Sequence, residues 1–390
     1  MQTPGAAPER LVKVEFLSSL DAIDPQCWNA LFATDYPFLR HDFLYGLETS
    51  GCTTDASGWQ PWHALLRDAN DTAIAALPLY LKGHSYGEYV FDWAWADAWE
   101  RSGLRYYPKL LSAIPFTPAT GPRLGVAPGI DRAGAHRALH EGITAFARQQ
   151  QLSSWHLLYP EVTEAATFAD LGMATRHQTQ FHWFNRDYRS YEDFLGSCAS
   201  RKRKNLRRER QRVLEQGISL KRLTGAEITS ADWQFFHRCY QRTYAKRSGH
   251  GGYLTREFFL EVAPRLADQA LMVVAEQHGR PVAAALYFFS ATTLYGRYWG
   301  CLAELDCLHF EVCYYQGIEF CIEQGLSRFD PGAQGEHKIQ RGFEPVLTVS
   351  NHWIADQRFA AAVHDFTVRE AQDVAAYRAN AAALLPFRAS

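Results

Sequence analysis

Apolar and polar positions along the chain alternate between strand-period and helix-period runs. Leu11 to Phe16 alternates as a strand, with Val12, Val14 and Phe16 turned inward. Pro25 to Phe32 and Asp42 to Ser50 read as helices, the second ended by Gly51. Trp62 to Leu66 and Thr72 to Lys82 read as paired strands across the turn Asp68 to Asp71. Arg132 to Gln150 is an alanine-rich helix, Ser154 to Leu158 a strand, Glu161 to Leu171 a helix and Thr175 to Asn185 a strand. The order then begins again. Tyr191 to Glu215 is helical, Ile218 to Leu223 a strand, and Ala231 to Lys246 and Thr255 to Leu266 helices. A hairpin follows (Met272 to Glu276, Val282 to Ser290), then a strand from Thr293 to Trp299 and an amphipathic helix from Leu308 to Gly325. A strand at Val346 to Val349 and a helix from Phe359 to Leu385 close the chain. Both halves run strand, two helices, antiparallel strands, helix, strand. The pattern predicts an α/β (α+β) protein of duplicated architecture, with mixed central sheets flanked by helices and domains at 1–186 and 187–390.

Composition narrows the class. The 390 residues are 47% hydrophobic and 21% charged, as in a globular protein. The 24 Phe, 19 Tyr and 11 Trp imply large buried clusters or an aromatic-lined groove. A net charge of -2 gives no global attraction to nucleic acid or membrane, so polyanion binding needs a local patch. The eight cysteines are scattered without a CxxC pair and read as reduced. No signal-peptide core and no run of transmembrane length is present, so a soluble, cytoplasmic protein is expected.

Four stretches carry candidate chemistry. The segment Phe329 to Phe343 is glycine-rich and holds Gln334, the triplet Glu336-His337-Lys338, and Arg341. Glycines let backbone approach a ligand while the side chains supply charge. Lys338 and Arg341 suit an anionic substrate or an oxyanion. The segment Tyr86 to Trp99 sets Asp92 and Asp97 among aromatic rings, where a carboxylate is either desolvated or paired with a cation. Ile114 to Arg123 is rich in Pro, Thr and Gly and suits an extended edge or a binding loop. Ser200 to Arg212 carries eight cations and one anion, a local +7. It is either a solvated or internally paired helix, or a partner for phosphates through Arg203, Lys204, Arg207 and Arg208. No HxxEH or HExxH spacing links His309, Glu311, Glu336 and His337, so no metal site is expected.

The hairpin ending Gly279 to Leu286, the strand Leu294 to Trp299 and the string Phe329-Asp-Pro-Gly332 resemble the later part of a GNAT acyltransferase fold. Ser200 to Arg208 with Gly217, and Gly332 to Phe343, are similar to the Fem branch. Glu88 to Asp97, Pro115 to Arg123, His309 to Gly317 and Gly332 to Lys338 look like the Fem-like family of peptidoglycan biosynthesis and recognition, over nearly the whole chain. That resemblance implies two tandem GNAT-like domains and transfer of an aminoacyl group, from aminoacyl-tRNA, or of an acyl group to an amine acceptor. It implies no tightly bound cofactor. The glycine-poor, acidic segment Gly300 to Cys307 stands where acyl-CoA enzymes place a pyrophosphate turn, which disfavours CoA as the donor. Candidates for the chemistry are Asp92, Asp97, His309, Glu311 and Lys338. Candidates for substrate contact are Arg123, Tyr295, Arg297, Gln334, Glu336, His337 and Arg341. The alternatives are an acyl-CoA-dependent N-acyltransferase and a recognition module without catalysis for an anionic cell-wall or nucleotide ligand.

Overall fold

The computed structural model describes residues 12–333 and 335–388. The first half contributes β1 (Lys13–Leu17), β2 (Trp59–Pro61), β3 (His63–Arg67), β4 (Ala73–Leu77), β5 (Tyr80–Lys82), β6 (Lys109–Ser112), β7 (Gly125–Val126), β8 (Ser154–Leu158) and β9 (Ala174–Phe184). The second contributes β10 (Ile218–Thr224), β11 (Ala270–Gln277), β12 (Arg280–Phe289), β13 (Thr293–Cys301), β14 (Arg328–Asp330) and β15 (Glu344–Ile354). A four-stranded sheet runs β1-β3-β4-β7. An 11-stranded sheet runs β10-β11-β12-β13-β14-β9-β15-β8-β6-β5-β2. With helices over these mixed sheets the fold is the α/β class that the hydrophobic pattern predicts. The large sheet passes through both halves: β15 lies antiparallel between β8 and β9, and β14 pairs with β9. The helix Gln357–Ala382 also returns to pack on β9 and β15.

Local chemistry explains most boundaries. Asp24 accepts the N–H groups of Gln26 and Cys27, and Pro25 occupies the first turn, so a helix starts there and buries Trp28 and Leu31. Thr229 and Asp232 form a reciprocal cap on the helix Ser230–Ser248, and Gly249 ends it in the left-handed region. Elsewhere the pattern is too simple. The helical run expected over 191–215 is two helices, Tyr191–Ser197 and Ser200–Glu215, because Cys198 bridges to Phe387. The helix expected over 255–266 is a π-turn, Phe258–Val262, followed by a 3-10 segment opening at Ala263-Pro264, where proline supplies no N–H. Val12, expected to face inward, is 43% exposed. The core is aromatic, as the composition predicts: Trp28, Trp59, Trp155, Trp183 and Trp233 are fully buried.

Candidate functional site

Two parallel strands part to make the cavity. β13 and β14 pair only from Thr293 opposite Arg328 to Tyr295 opposite Asp330. β14 then stops while β13 runs on to Cys301. A cleft outside the carboxyl ends of parallel strands is where α/β sheets hold ligands. Here it is a cavity of about 630 Å³, large enough for a small-molecule substrate. On its other flank β13 carries a bulge. Leu286 pairs with Tyr298 and Tyr287 with Gly296, which leaves Arg297 as the extra residue. A bulge re-aims a side chain, and Arg297 lines the cavity. Its Nη2 donates to the Phe116 carbonyl at 2.6 Å, while its buried Nε has no partner.

The glycine-rich loop forms the floor. Gly332 and Gly335 hold φ of 84° and 106°, which side-chain-bearing residues rarely adopt. This tight path turns Lys338 back under the loop, where it is buried and donates to the Gly332 carbonyl at 2.6 Å. Burial pulls its ammonium down to about 8, against the opposing pull of Asp330. The helix from Leu308 supplies His309, Cys313 and Tyr314 to the same cavity. A π-turn over Glu311–Tyr315 widens this helix. Tyr314 hydroxyl and His337 Nε2 are 2.8 Å apart. Burial holds His309 at about 3 and His337 at about 4, with neighbouring His337 and Lys338 respectively adding to the effect. Both imidazoles are therefore neutral at pH 7 and present a lone pair that can accept a hydrogen bond. Gln334 lies outside the described residues.

The opposite wall comes from the first half, through Ser85, Tyr86, Gly87, Tyr89, Phe91 and Trp93. One buried amine anchors that wall. Lys109 donates to Ser85 Oγ and Glu88 at 2.8 Å each, and to Asp92. Asp92 also accepts the Tyr106 hydroxyl at 2.6 Å. Burial alone would raise the Asp92 pKa, but the Lys109 ammonium outweighs it and holds the carboxyl well below its usual range. Glu88 is pushed up to about 7 by burial. Asp92 is thus a structural anchor beneath the wall. Asp97 is exposed on the helix Trp93–Arg101 and does not line the cavity. Lys109 escaped sequence reasoning, although a desolvated Asp92 required such a cation. Arg247, at the end of the helix Ser230–Ser248, also lines the cavity and had no local signal.

The other sequence candidates sit elsewhere. Glu311 is buried against Arg210, 2.8 and 3.0 Å from its guanidinium, on the face away from His309. Arg123 is buried and donates to the carbonyls of Ala119, Gly121, Pro122 and Leu158, which makes it a backbone brace. Tyr295 packs its ring against Tyr36 and Phe38. Glu336 accepts the Tyr377 hydroxyl at 2.7 Å and borders a second cavity of about 500 Å³. Arg341 grips Glu209 with two contacts of 2.8 Å and covers the Phe310 ring at 3.4 Å. It ties the site loop to the basic helix rather than facing the cavity.

The basic helix Ser200–Glu215 divides into two faces. Arg210 holds Glu311 and Glu319, Arg212 holds Asp306, and Arg207 holds Glu192. Arg201, Lys204 and Arg208 are exposed at i, i+3 and i+7, and Arg203 is half-buried. None of these four has a carboxylate partner within 4.0 Å among the described residues. No group of three His, Cys, Asp or Glu placed to hold a metal occurs among the described residues. Among the same residues no helix is long and apolar enough to cross a membrane.

Fold and site together define an α/β protein with a ligand cavity at the parting of two parallel strands, walled by cations, aromatic rings and neutral imidazoles. The chain belongs to the FemAB-like family of peptidoglycan biosynthesis and recognition, whose profile matches residues 19–389. No curated protein matches it. Among solved structures it is similar to the C-terminal domain of a putative lysylphosphatidylglycerol synthetase from Agrobacterium fabrum. That match has a TM-score of 0.53 at 8% identity, covering 88% of this chain and 95% of that one. FemX matches at a TM-score of 0.49 and 12% identity, covering 81% of this chain and 93% of that one. A tandem GNAT protein from the clavulanic acid biosynthesis pathway matches at 0.45 and 12%, covering 89% and 99%.

Proposed function

We propose that this protein transfers an aminoacyl group, from aminoacyl-tRNA, to an amine on an acceptor seated in the cavity, with a cell-wall precursor as the acceptor class. The observation that carries the reading is the division of the basic helix. Its inner face is locked to the site through Glu209–Arg341, and its outer face presents Arg201, Lys204 and Arg208 without counter-ions. Such a face suits a phosphate backbone whose acylated end must reach the cavity. The segment before Leu308 favours this donor over acyl-CoA. Glu304 and Asp306 lie there and already occupy the cations beside them, Lys246 and Arg212, so the segment offers a diphosphate no free positive charge.

The cavity contains the parts that transfer requires. Acyl transfer needs a proton acceptor for the incoming amine and positive charge near the carbonyl oxygen that becomes anionic. His309 and His337 are neutral imidazoles that can accept a hydrogen bond from the incoming amine. Lys338, beneath the glycine loop, supplies the positive charge.

The test is binding of bulk bacterial tRNA, charged and uncharged, across a salt series. The comparison is a variant with Arg201, Lys204 and Arg208 replaced by alanine. Loss of three phosphate contacts should lower the slope of log K against log salt by about 2–3. Absence of binding at low salt overturns the tRNA donor. Thermal protection by millimolar CoA would then favour an acyl-CoA donor.

A further inference from the structure

Buried or cavity-facing cations in this chain fall into two groups. Lys82, Lys109, Arg176, Arg210 and Arg341 each lie within 4.0 Å of a carboxylate. Arg123 has no carboxylate at that distance, but main-chain carbonyls satisfy it. Arg297, Lys338 and Arg247 are different. Arg297 makes one bond, to a carbonyl, and leaves a buried Nε without a partner. Lys338 donates only to the carbonyls of Gly332 and Ala333, at 2.6 and 3.5 Å. Arg247 is exposed at the rim and has no carboxylate partner among the described residues. Asp330 exerts an electrostatic pull on both Arg297 and Lys338, but its carboxylate accepts the Gly332 N–H at 2.9 Å and faces His182 at 3.5 Å. The described residues that line the cavity include no Asp and no Glu.

Unpaired charge is costly in a concave, ring-lined site, because a desolvated cation needs a counter-ion or a full set of acceptors. A strand bulge has also been spent on aiming Arg297 into that space. We infer that the ligand of this cavity brings the missing counter-charge: a carboxylate or phosphate group bound between Arg247 and Arg297, with Lys338 beneath it. The corollary concerns the acceptor. An acceptor with a net positive charge, such as a diamine, is repelled by this cavity, whereas an amine whose own molecule carries an acid group is admitted. The inference deepens the transfer reading and rests on the same cavity, but not on the donor.

Two probes distinguish the sources of the anion. L-alanyl-L-alanine tests a carboxylate, with its C-terminal amide as the neutralised control, and inorganic pyrophosphate tests a phosphate. Binding is followed by calorimetry and thermal shift at constant ionic strength. At least one acid probe should bind, with the amide at least tenfold weaker if the dipeptide is the binder. Arg247→Ala, at an exposed position, should weaken that probe about tenfold and Arg247→Lys should restore part of it. Arg297→Met should abolish binding. The triple variant of the basic helix should leave it unchanged. Three results overturn the inference: no binding of either acid probe, equal binding of dipeptide and amide, or loss only in the basic-helix variant. If tRNA binding persists while the probes fail, this inference falls alone. If the probes bind and tRNA does not, the donor assignment falls alone.

Discussion

Replacing Lys109 by methionine tests whether the wall of the cavity hangs on one buried amine. Lys109 is fully buried and serves two carboxylates, Glu88 and Asp92, together with the Ser85 hydroxyl. Methionine keeps most of the volume and removes the charge, so the loss is electrostatic rather than a cavity effect. Breaking a buried pair from one side costs about 3–5 kcal/mol, because the orphaned charge remains desolvated. With a urea m-value near 3 kcal/mol/M, the unfolding midpoint should fall by roughly 1 M or more. Acid should soften the defect. Glu88 already stands at about 7 beside the ammonium, so without it a proton replaces the missing charge by pH 5. Urea melts of wild type and variant, followed by tryptophan emission at pH 8 and pH 5, measure both effects. Lys221→Met, which removes an exposed pair with Glu276, is the control and should cost under about 0.5 kcal/mol. A Lys109→Met loss below about 1 kcal/mol, or one equal at both pH values, refutes the anchoring argument.

Acid should unfold the protein through its buried histidines. Burial holds His156 at about 3 and His182 at about 4, with His352 well below its ordinary value. The unfolded chain therefore binds more protons below pH 6.5, so stability is full above 6.5 and is lost as pH falls. Glu88, raised to about 7, opposes this with one proton between about 4.5 and 7. With His309 at about 3 and His337 at about 4 counted as well, five histidines against one glutamate leave a net of about four protons, a loss of roughly 5 kcal/mol per pH unit near pH 5, and a flat stability profile from pH 7 to 5 would contradict it. Gly300→Ala should be severely destabilising, by more than about 3 kcal/mol, since its Cβ would meet the Cys239 carbonyl at 2.1 Å. Gly196→Ala, with nothing within 4 Å, should be neutral or stabilising by about 0.5 kcal/mol, and paired thermal melts compare the two.

Elements with a strong local signal were legible in the sequence. Pro25–Phe32 announces itself through Asp24 and Pro25, and β8, Ser154–Leu158, through a short apolar run. The helix Trp93–Arg101 was not read, because three tryptophans mask its period and Asp92, at its cap position, gives its side chain to Lys109 instead. The π-turn at Glu311–Tyr315 cannot be seen by a rule based on 3.6 residues per turn. For the site, the glycine spacing was legible, since positive φ at Gly332 and Gly335 is what lets Lys338 curl beneath the loop. The cavity itself was not. It exists because β13 outruns β14, and strand pairing between residues 35 apart leaves no mark in either segment alone. Lys109 acquires its role separately, from β6 carrying it under the segment that holds Ser85, Glu88 and Asp92.

The basic run shows where charge counting stops being informative. Eight cations in twelve residues read as one patch with one purpose. Folding assigns them by helical angle instead. Arg210 turns inward to neutralise Glu311 and Glu319, two acids that would otherwise be stranded on the Leu308–Gln324 segment. The single anion, Glu209, has the opposite task of meeting Arg341 from the site loop. The inner face is therefore a strut whose charges cancel, and its loss would be felt as misplacement of the loop that carries Lys338. Arg201, Lys204 and Arg208 take no part in that strut, and self-repulsion along i, i+3 and i+7 is a cost the fold does nothing to relieve. Arg297 in the cavity likewise has no carboxylate partner within 4.0 Å among the described residues, and its buried Nε is left without an acceptor.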